Sequence, residues 1–395
     1  MRLKKLISGV LAGLTAVSSI PFSSVGVIAS AADAEKDIWD GTTDTSWYDS
    51  EETEFHISTP EELAGLAELV NDGKSMSGQT FILDNNIYLN DVSKYEKWKS
   101  VAPTNSWTPI GTSNTYCFSG IFDGSGFSIE GLYISGSDYR YSGFFGYTTD
   151  SSEISNINMT YEYIDGTYSY GSLAGGITAH SKGKIDNCTF SGTVTSSSSS
   201  SYYSYSYAGG IAGYSSAEIS NCTNNGTVTS SSYRSKSYAG GISYAGGIVG
   251  KVYCSAKEII IISNVYNTGK VTAKDYEGGI VGLADSNSSS YELTINNAYN
   301  IGKVSYAILG IRNGSTIFIF NTSYLIGQSK QGCKWHTDDE GIVAKSKEEM
   351  QTKKFAESLG DAFVYVEGDY PKLAWEINNI EEPTEITSET TSEDT

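Results

Sequence analysis

One sequence pattern recurs along this chain and limits the folds that are open to it. Each copy contains a Gly-Gly-Ile run, a polar turn, an apolar segment with asparagine, and a Gly-x-Val run. Equivalent isoleucines are spaced 34, 37 and 32 residues apart in the four clearest copies, at Ile177, Ile211, Ile248 and Ile280. A repeat of this length with three short apolar runs is typical of one coil of a parallel β-solenoid, in which each coil offers strands to its neighbours.

Three irregularities accompany this repeat. Degenerate copies begin at Gly143-Phe144-Phe145-Gly146 and at Ala307-Ile308-Leu309-Gly310. Residues 238–243 are followed at once by a near-duplicate, residues 244–249, which explains the spacing of 37. Since only one of the two copies can stay in register, we expect the other to form a loop.

The residue types within each copy predict how a coil is built. Isoleucine and valine side chains are expected to point inward and stack on their equivalents. Paired glycines suit turns where φ is positive or where a side chain would clash. An asparagine in a turn can bond its own backbone and the amide of the next coil, as in asparagine ladders. The predicted structural ladder consists of Asn187, Asn221, Asn264 and Asn297.

The repeats resemble the GLUG motif, in which glycine, two apolar residues and glycine recur in exported bacterial repeat proteins. The motif residues are Gly210-Ile211-Ala212-Gly213, Gly247-Ile248-Val249-Gly250 and Gly279-Ile280-Val281-Gly282. Residues 107–132 and 370–375 are similar to the segments that flank such repeats, and Ala179 departs from the motif by replacing its last glycine. The resemblance covers roughly residues 36–378. It implies a right-handed parallel β-helix on an exported protein and no particular chemistry.

Two helix starts are candidates for covering the ends of the solenoid, because open strand edges promote association. In the first, Thr59 is the N-cap and Pro60 the first helical residue, with Gly73 as the stop. The second is framed by Ser346 and Glu349. We therefore expect an all-β protein, a right-handed parallel β-helix with short helical capping elements at both ends.

The chain divides into five predicted segments. Residues 1–31 have a basic start, an apolar stretch and small residues at the end, as in a signal peptide cleaved after Ala31 or Ala34. The other segments are an N-terminal cap with the first strands (36–115), the β-helix (116–328), a C-terminal capping segment (329–378) and a disordered Thr/Ser/Glu-rich tail (379–395). Because no later stretch is apolar and long enough to span a bilayer, we expect a secreted monomer without an anchor.

Composition argues against several classes of function. The formal net charge of −20 disfavours a nucleic-acid partner, since such proteins cluster Lys and Arg. His56, His180 and His336 are far apart in the sequence, which favours surface or turn positions over a zinc site or a catalytic triad. The coils contain no aligned pair of acids for glycoside cleavage. We expect no cofactor, no metal and no catalytic residues.

Two aligned pairs of residues leave alternatives open. Cys188 and Cys222 occupy one repeat position and are expected to be neighbours, either as stacked buried thiols or as a disulfide. Lys270 and Lys303 align in Gly-Lys-Val runs. A solvated face is the simplest interpretation of these lysines.

Tyrosines gather in serine-rich sequence just before three of the glycine pairs, so a solenoid would place them in one patch. Tyrosine offers broad contact area at low entropy cost, which suits sugar rings and protein surfaces. Cross-strand packing of the tyrosines on one another is the alternative. The predicted ligand-binding residues are Tyr168, Tyr170, Tyr202, Tyr203, Tyr205, Tyr233 and Tyr238.

Two functions from different classes follow from these observations. The first is an exported, non-catalytic binding or adhesion module for a glycan or a protein surface. The second is a polysaccharide-acting enzyme, a lyase or hydrolase, on a β-helix scaffold. The lack of an aligned acid cluster favours the first.

Overall fold

A computed structural model describes residues 36–200, 204–232, 242–254, 259–286, 292–314, 316–334 and 341–378. The predicted leader (1–31) and tail (379–395) lie outside these residues. The described residues from Asp37 onward form one compact unit.

Most of the secondary structure consists of short strands. The strands up to residue 198 are β1 (Glu54–Ile57), β2 (Thr80–Leu83), β3 (Ile87–Tyr88), β4 (Ile121–Asp123), β5 (Ser128–Glu130), β6 (Tyr133–Gly136), β7 (Tyr141–Ser142), β8 (Phe145–Tyr147), β9 (Glu153–Thr167), β10 (Ser172–Gly175), β11 (Thr178–Ser181) and β12 (Lys184–Ser198). The next strands are β13 (Tyr205–Gly209), β14 (Ala212–Ser215), β15 (Ile219–Ser220), β16 (Thr223–Asn224), β17 (Thr227–Ser232), β18 (Ile242–Gly246), β19 (Val249–Cys254), β20 (Ile259–Asn267), β21 (Val271–Ala273) and β22 (Tyr276–Gly278). The last strands are β23 (Val281–Ser286), β24 (Glu292–Asn300), β25 (Tyr306–Asn313), β26 (Thr316–Leu325), β27 (Gln331–Cys333), β28 (Ile342–Lys345), β29 (Phe363–Val364) and β30 (Lys372–Leu373). The helices are α1 (Pro60–Asn71), α2 (Lys347–Met350), α3 (Lys353–Ser358), α4 (Ala374–Asn378) and a 3-10 helix (Val92–Lys97).

Two long parallel sheets contain almost all of these strands and curl round one axis. The main path of the first sheet is β1-β2-β4-β9-β12-β15-β20-β24-β26-β28. The second sheet has the order β7-β10-β13-β18-β22-β25-β23-β19-β14-β11-β8. Neighbouring strands are about one repeat apart in the sequence, as when Ile185 pairs with Ile219 and Ile219 with Ile262. The predicted parallel, solenoid-like coiling is therefore confirmed.

Stacked isoleucines fill the interior of the coils. One column contains the fully buried residues Ile154, Ile185, Ile219, Ile262 and Ile295. A second column contains Ile177, Ile211, Ile248, Ile280 and Ile308, also fully buried. Burial of each such side chain contributes roughly 1.5–3 kcal/mol before conformational entropy is counted.

The paired glycines are required by close approach rather than by positive φ. A Cβ atom at Gly210 would lie 2.2 Å from the carbonyl oxygen of Gly247 and 2.4 Å from Cγ of Asn224. The left-handed backbone falls instead on the asparagine position, with φ of 52° at Asn221 and 53° at Asn264. Asparagine is one of the few residues that tolerates this conformation, so its repetition has a backbone cause as well as a hydrogen-bonding one.

The predicted asparagine positions form a hydrogen-bonded ladder with one interruption. Nδ2 of Asn264 donates to Oδ1 of Asn221, and Nδ2 of Asn297 donates to Oδ1 of Asn264, each at 3.0 Å. Between Asn187 and Asn221 the ladder changes partner, because Nδ2 of Asn221 donates to Oδ1 of Asp186 at 2.8 Å. Each link ties one coil to the next.

A second asparagine ladder lies inside the coils, where sequence reasoning did not place one. Asn224, Asn267 and Asn300 are fully buried. Nδ2 of Asn224 donates to Oδ1 of Asn267 at 2.6 Å, and Nδ2 of Asn267 donates to Oδ1 of Asn300 at 2.7 Å. A buried amide is tolerated only when its hydrogen bonds are made, and this ladder satisfies them between coils.

The structure shows which copy of the duplicated segment is in register. Tyr244 of the second copy pairs with Tyr207, so residues 244–249 are in register, and residues 238–241 lie outside the described residues.

Cys188 and Cys222 are buried as stacked thiols and not joined by a disulfide. Burial raises the pKa of the Cys222 thiol well above its ordinary value, which keeps it protonated.

Both predicted helix starts are formed. α1 has the capping box of Thr59 and Glu62, and its Leu63 and Leu66 are fully buried in the main core. Ser346 and Glu349 form a second capping box, but α2 ends after one turn at Gln351 and α3 follows it.

The C-terminal segment lies along the side of several coils. Its buried apolar residues, among them Phe355 and Leu373, pack on the stacked rings of Tyr266 and Tyr299. Nε1 of Trp375 donates to the carbonyl oxygen of Asn221 at 2.9 Å. These contacts show where the segment docks.

Candidate functional site

Tyrosines at one repeat position form a row of stacked rings on the second sheet. The strands β7, β10, β13, β18 and β22 place Tyr141, Leu173, Tyr207, Tyr244 and Tyr276 in register. The ring centroids of Tyr207 and Tyr244 are 5.5 Å apart, as are those of Tyr244 and Tyr276. Ser206 and Ala208 on either side of Tyr207 are fully buried, so strand alternation directs the tyrosine to the opposite face.

A second row of rings runs beside the first. The strands β8, β11, β14 and β19 align Tyr147, His180, Tyr214 and Lys251. Tyr147 stacks on His180 at 4.2 Å with an interplanar angle of 8°, and His180 stacks on Tyr214 at 4.4 Å with 13°. Three aromatic rings thus lie face to face across three coils.

Edge contacts join the two rows into one surface, here named the aromatic strip. Tyr141 meets Tyr147 edge-on at 5.3 Å, and Tyr207 meets Tyr214 edge-on at 6.4 Å. Tyr205 stacks beside Tyr207 and is 42% exposed. The strip consists of Tyr141, Tyr147, His180, Tyr205, Tyr207, Tyr214, Tyr244 and Tyr276.

Cationic side chains lie over the rings of the strip. The ammonium group of Lys251 is 5.4 Å from the ring centre of Tyr207 and 5.5 Å from that of Tyr214. It also forms an ion pair with Asp285 at 2.8 Å, which fixes its position. Lys334 covers Tyr276 at 4.1 Å. Such cation–π contacts help to hold the rings in place.

Four ionisable groups of the strip are held in their uncharged forms at neutral pH. Burial raises the pKa of the Tyr207, Tyr214 and Tyr244 phenols, so each keeps its proton. Burial and, to a lesser extent, the nearby Lys182 lower the pKa of His180 to about 4. His180 lies on strand β11 of this surface rather than in a turn, and its ring is half-buried between two tyrosines.

The structure brings one of the seven predicted tyrosines into the strip, namely Tyr205. Tyr168 is half-buried and Tyr170 is 71% exposed, and both precede β10 in the connection. The other predicted tyrosines lie outside the described residues: Tyr202, Tyr203, Tyr233 and Tyr238. Predictions that rest on these four remain predictions.

A sequence signal for the missed residues was available. Tyr207, Tyr244 and Tyr276 each stand two positions before a glycine pair. Tyr147 and Tyr214 each directly follow the last glycine of the motif. A fixed offset from the repeated glycines identifies the strip better than local tyrosine density does, because the offset fixes the face of the strand.

Among the described residues, no group of three His, Cys, Asp or Glu side chains is placed to hold a metal ion. No helix within the described ranges has the length and apolarity needed to cross a membrane. His56 is exposed and bonded to Asp84 at 2.8 Å, which raises its pKa, and His336 lies outside the described residues.

Comparisons with known proteins agree with the repeat analysis. Residues 166–195 and 204–229 match the family model described as the GLUG motif, so the chain carries GLUG repeats. A stretch of 81 residues is 35% identical to a "Putative Gly-rich membrane protein" of Evansella cellulosilytica. That stretch covers 20% of this chain and spans 9% of the relative's length.

A solved structure shares the fold. It is a "putative immunoglobulin A1 protease" from Bacteroides ovatus, with a TM-score of 0.57 and 21% identity. The match covers 81% of this chain and 92% of that one. At this level of identity the likeness concerns the β-rich fold alone.

Proposed function

We propose that this chain is an exported, non-catalytic repeat protein that binds extracellular or cell-surface glycans through the aromatic strip. The observation that carries the proposal is the continuous stack across coils, in which His180 lies between Tyr147 and Tyr214. Because the rings of the stack cover one another's faces, their outer edges and phenol hydroxyls are the parts that can meet sugar rings and bond sugar hydroxyls.

The geometry of the strip favours a polymer as the ligand. In each row the rings follow successive coils, at the spacing of about 4.8 Å between hydrogen-bonded strands, except where Leu173 interrupts the first row. A regular row of similar contacts suits a chain of similar units. The register of the strands fixes the rings before a ligand arrives, so little side-chain entropy is lost on binding.

Uncharged rings favour neutral sugars over acidic ones. The protonated phenols and the neutral imidazole of His180 offer no counter-charge, and Lys251 is already paired with Asp285. The formal net charge of −20 adds a repulsive field for polyanions. We therefore place neutral glycans first and a protein surface second among the candidate ligands.

We also propose that the protein is exported and that both ends of its solenoid are covered. Residues 1–31 serve as a cleaved signal peptide, and the Gly-rich membrane protein among the relatives agrees with a role at the cell surface. The solenoid is right-handed. α1 covers its first coil through Leu63 and Leu66, and the C-terminal helices protect its later coils.

A glycan array with the full chain tests this function. We expect retention on neutral polysaccharides and at least tenfold weaker retention for Tyr205→Ala, whose exposed ring contributes little to folding. New reducing ends or unsaturated sugars released from a retained polysaccharide would overturn the non-catalytic part and support the enzyme alternative. Retention only on protein spots would overturn the glycan assignment.

A further inference from the structure

Three lysines from successive coils line one cavity of about 310 Å³. They are Lys270, Lys303 and Lys330, and all three are exposed. We infer that this cavity is a second binding site, one that takes an oxyanion such as the carboxylate of a uronic acid or the sulfate of a sulfated sugar. The site shares no lining residue with the aromatic strip and does not depend on the function proposed for it.

Backbone hydrogen bonds between coils bring the lysines together. The backbone N–H of Val271 donates to the carbonyl oxygen of Lys303 at 3.1 Å, which places Lys270 and Lys303 on adjacent coils. The N–H of Lys330 donates to the carbonyl oxygen of Ser305 at 3.0 Å, which adds the next coil. Like charges at matched positions of adjacent coils repel one another unless a counter-charge is present.

The described residues supply no such counter-charge to these lysines. None of the three ammonium groups forms an ion pair with another described residue. Glu277 is the one acidic residue in the lining. Its carboxylate accepts hydrogen bonds from the N–H of Ala273 at 2.7 Å and of Ser305 at 2.9 Å, and from the Ser305 hydroxyl.

The site therefore holds three cations against one carboxylate that is already bonded to backbone. At physiological salt a charge acts over about 8 Å before counter-ions screen it, so the lysines in the lining affect a ligand in the cavity more than distant acidic residues do. Lysines bind oxyanions as hydrated point charges, which predicts moderate affinity and strong dependence on salt.

Earlier coils show that the fold does not need these lysines. Thr193 and Thr227 occupy the same position in the two preceding coils, as the pairing of Val228 with Val271 shows. The basic residues are thus confined to the later coils. Lysine-to-threonine changes restore a residue that the same structural position already accepts, which provides a conservative variant.

Titration of the full chain with small probes tests the inference. The probes are glucuronic acid, glucose 6-sulfate, inorganic sulfate and, as the neutral control, glucose, and binding is followed by nuclear magnetic resonance. We expect the three anions to bind and glucose not to bind at this site. Lys270→Thr/Lys303→Thr should weaken anion binding at least tenfold, whereas the exposed control Lys97→Thr/Lys99→Thr should leave it unchanged.

The arms of the titration separate the possible sources of the anion. Tighter binding of the charged sugars than of sulfate assigns a sugar-borne group, and equal binding assigns a free anion; both support the site. Anion binding that survives Lys270→Thr/Lys303→Thr would overturn it, as would the absence of anion binding by the wild type at low salt. Melting temperatures of the variants identify any loss of folding.

Discussion

His180 stacks on Tyr214 with ring centroids 4.4 Å apart and ring planes 13° apart. Tyr147 covers the other face of the imidazole at 4.2 Å. The histidine thus takes the place of a tyrosine in a column that runs from coil to coil. Partial burial in this column, together with the charges of Lys182 and Arg140, favours the neutral imidazole.

The stability of the fold should therefore fall in mild acid because of His180. Its pKa is about 4 when folded and 6.5 in the unfolded reference, so between these values the unfolded chain binds the extra proton. The stability that the neutral imidazole contributes to the fold is present above pH 6.5 and is lost as the pH falls from 6.5 towards 4. When the pH falls from 7 to 4.5, the unfolding free energy of the wild type should drop by about 2 kcal/mol more than that of His180→Tyr, as measured by urea denaturation.

Tyrosine is a matched replacement, because Tyr147 and Tyr214 occupy the same position in the flanking coils. Carboxylates that titrate in this range affect both proteins equally and cancel in the comparison. A difference in unfolding free energy that stays constant with pH would show that the imidazole is protonated within the stack.

The inner asparagine ladder should contribute strongly to stability. Asn267→Ala removes the acceptor for Asn224 and the donor to Asn300, and it leaves both buried amides with a missing partner. We expect a loss of about 2–4 kcal/mol in the free energy of unfolding, measured by urea denaturation. The control is Asn225→Ala at an exposed position, which should cost less than half as much.

The docked C-terminal segment should be released by a single substitution. Trp375→Ala removes the hydrogen bond to Asn221 and an apolar contact on the Tyr266–Tyr299 pair. Limited proteolysis should then cut within residues 346–378 several-fold faster, while circular dichroism retains its β signal. Tyr365→Ala, at a 42% exposed ring in the same segment, is the control. Equal cleavage of both variants would contradict the docking.

The coil architecture could be predicted because each coil repeats the same physical requirement. Ile211 and its equivalents stack inside, and Asn264 recurs where the backbone is left-handed. The inner ladder could not be predicted, since an asparagine after a tyrosine gives no sign that Asn267 is fully buried.

The candidate site was predicted less well than the fold. The local density of tyrosine indicated the serine-tyrosine runs as the binding site. The strip is formed instead by residues that strand register aligns across coils. His180 follows Ala179, the residue that replaces the last motif glycine, and only strand pairing shows that it joins Tyr214 in one stack. Lys330 is not part of a Gly-Lys-Val run, so only the fold shows that it lines the same cavity as Lys270 and Lys303.

Affinity electrophoresis through gels that contain neutral polysaccharides tests the binding role of the strip most directly. The wild type should be retarded in at least one gel, and Tyr207→Ala/Tyr244→Ala should lose this retardation. The control Tyr133→Ala/Tyr163→Ala removes a similar stacked pair, at 5.4 Å, from the first sheet and should stay retarded. Retardation that persists in the strip variant, or is lost equally in the control while both remain folded, would contradict the account.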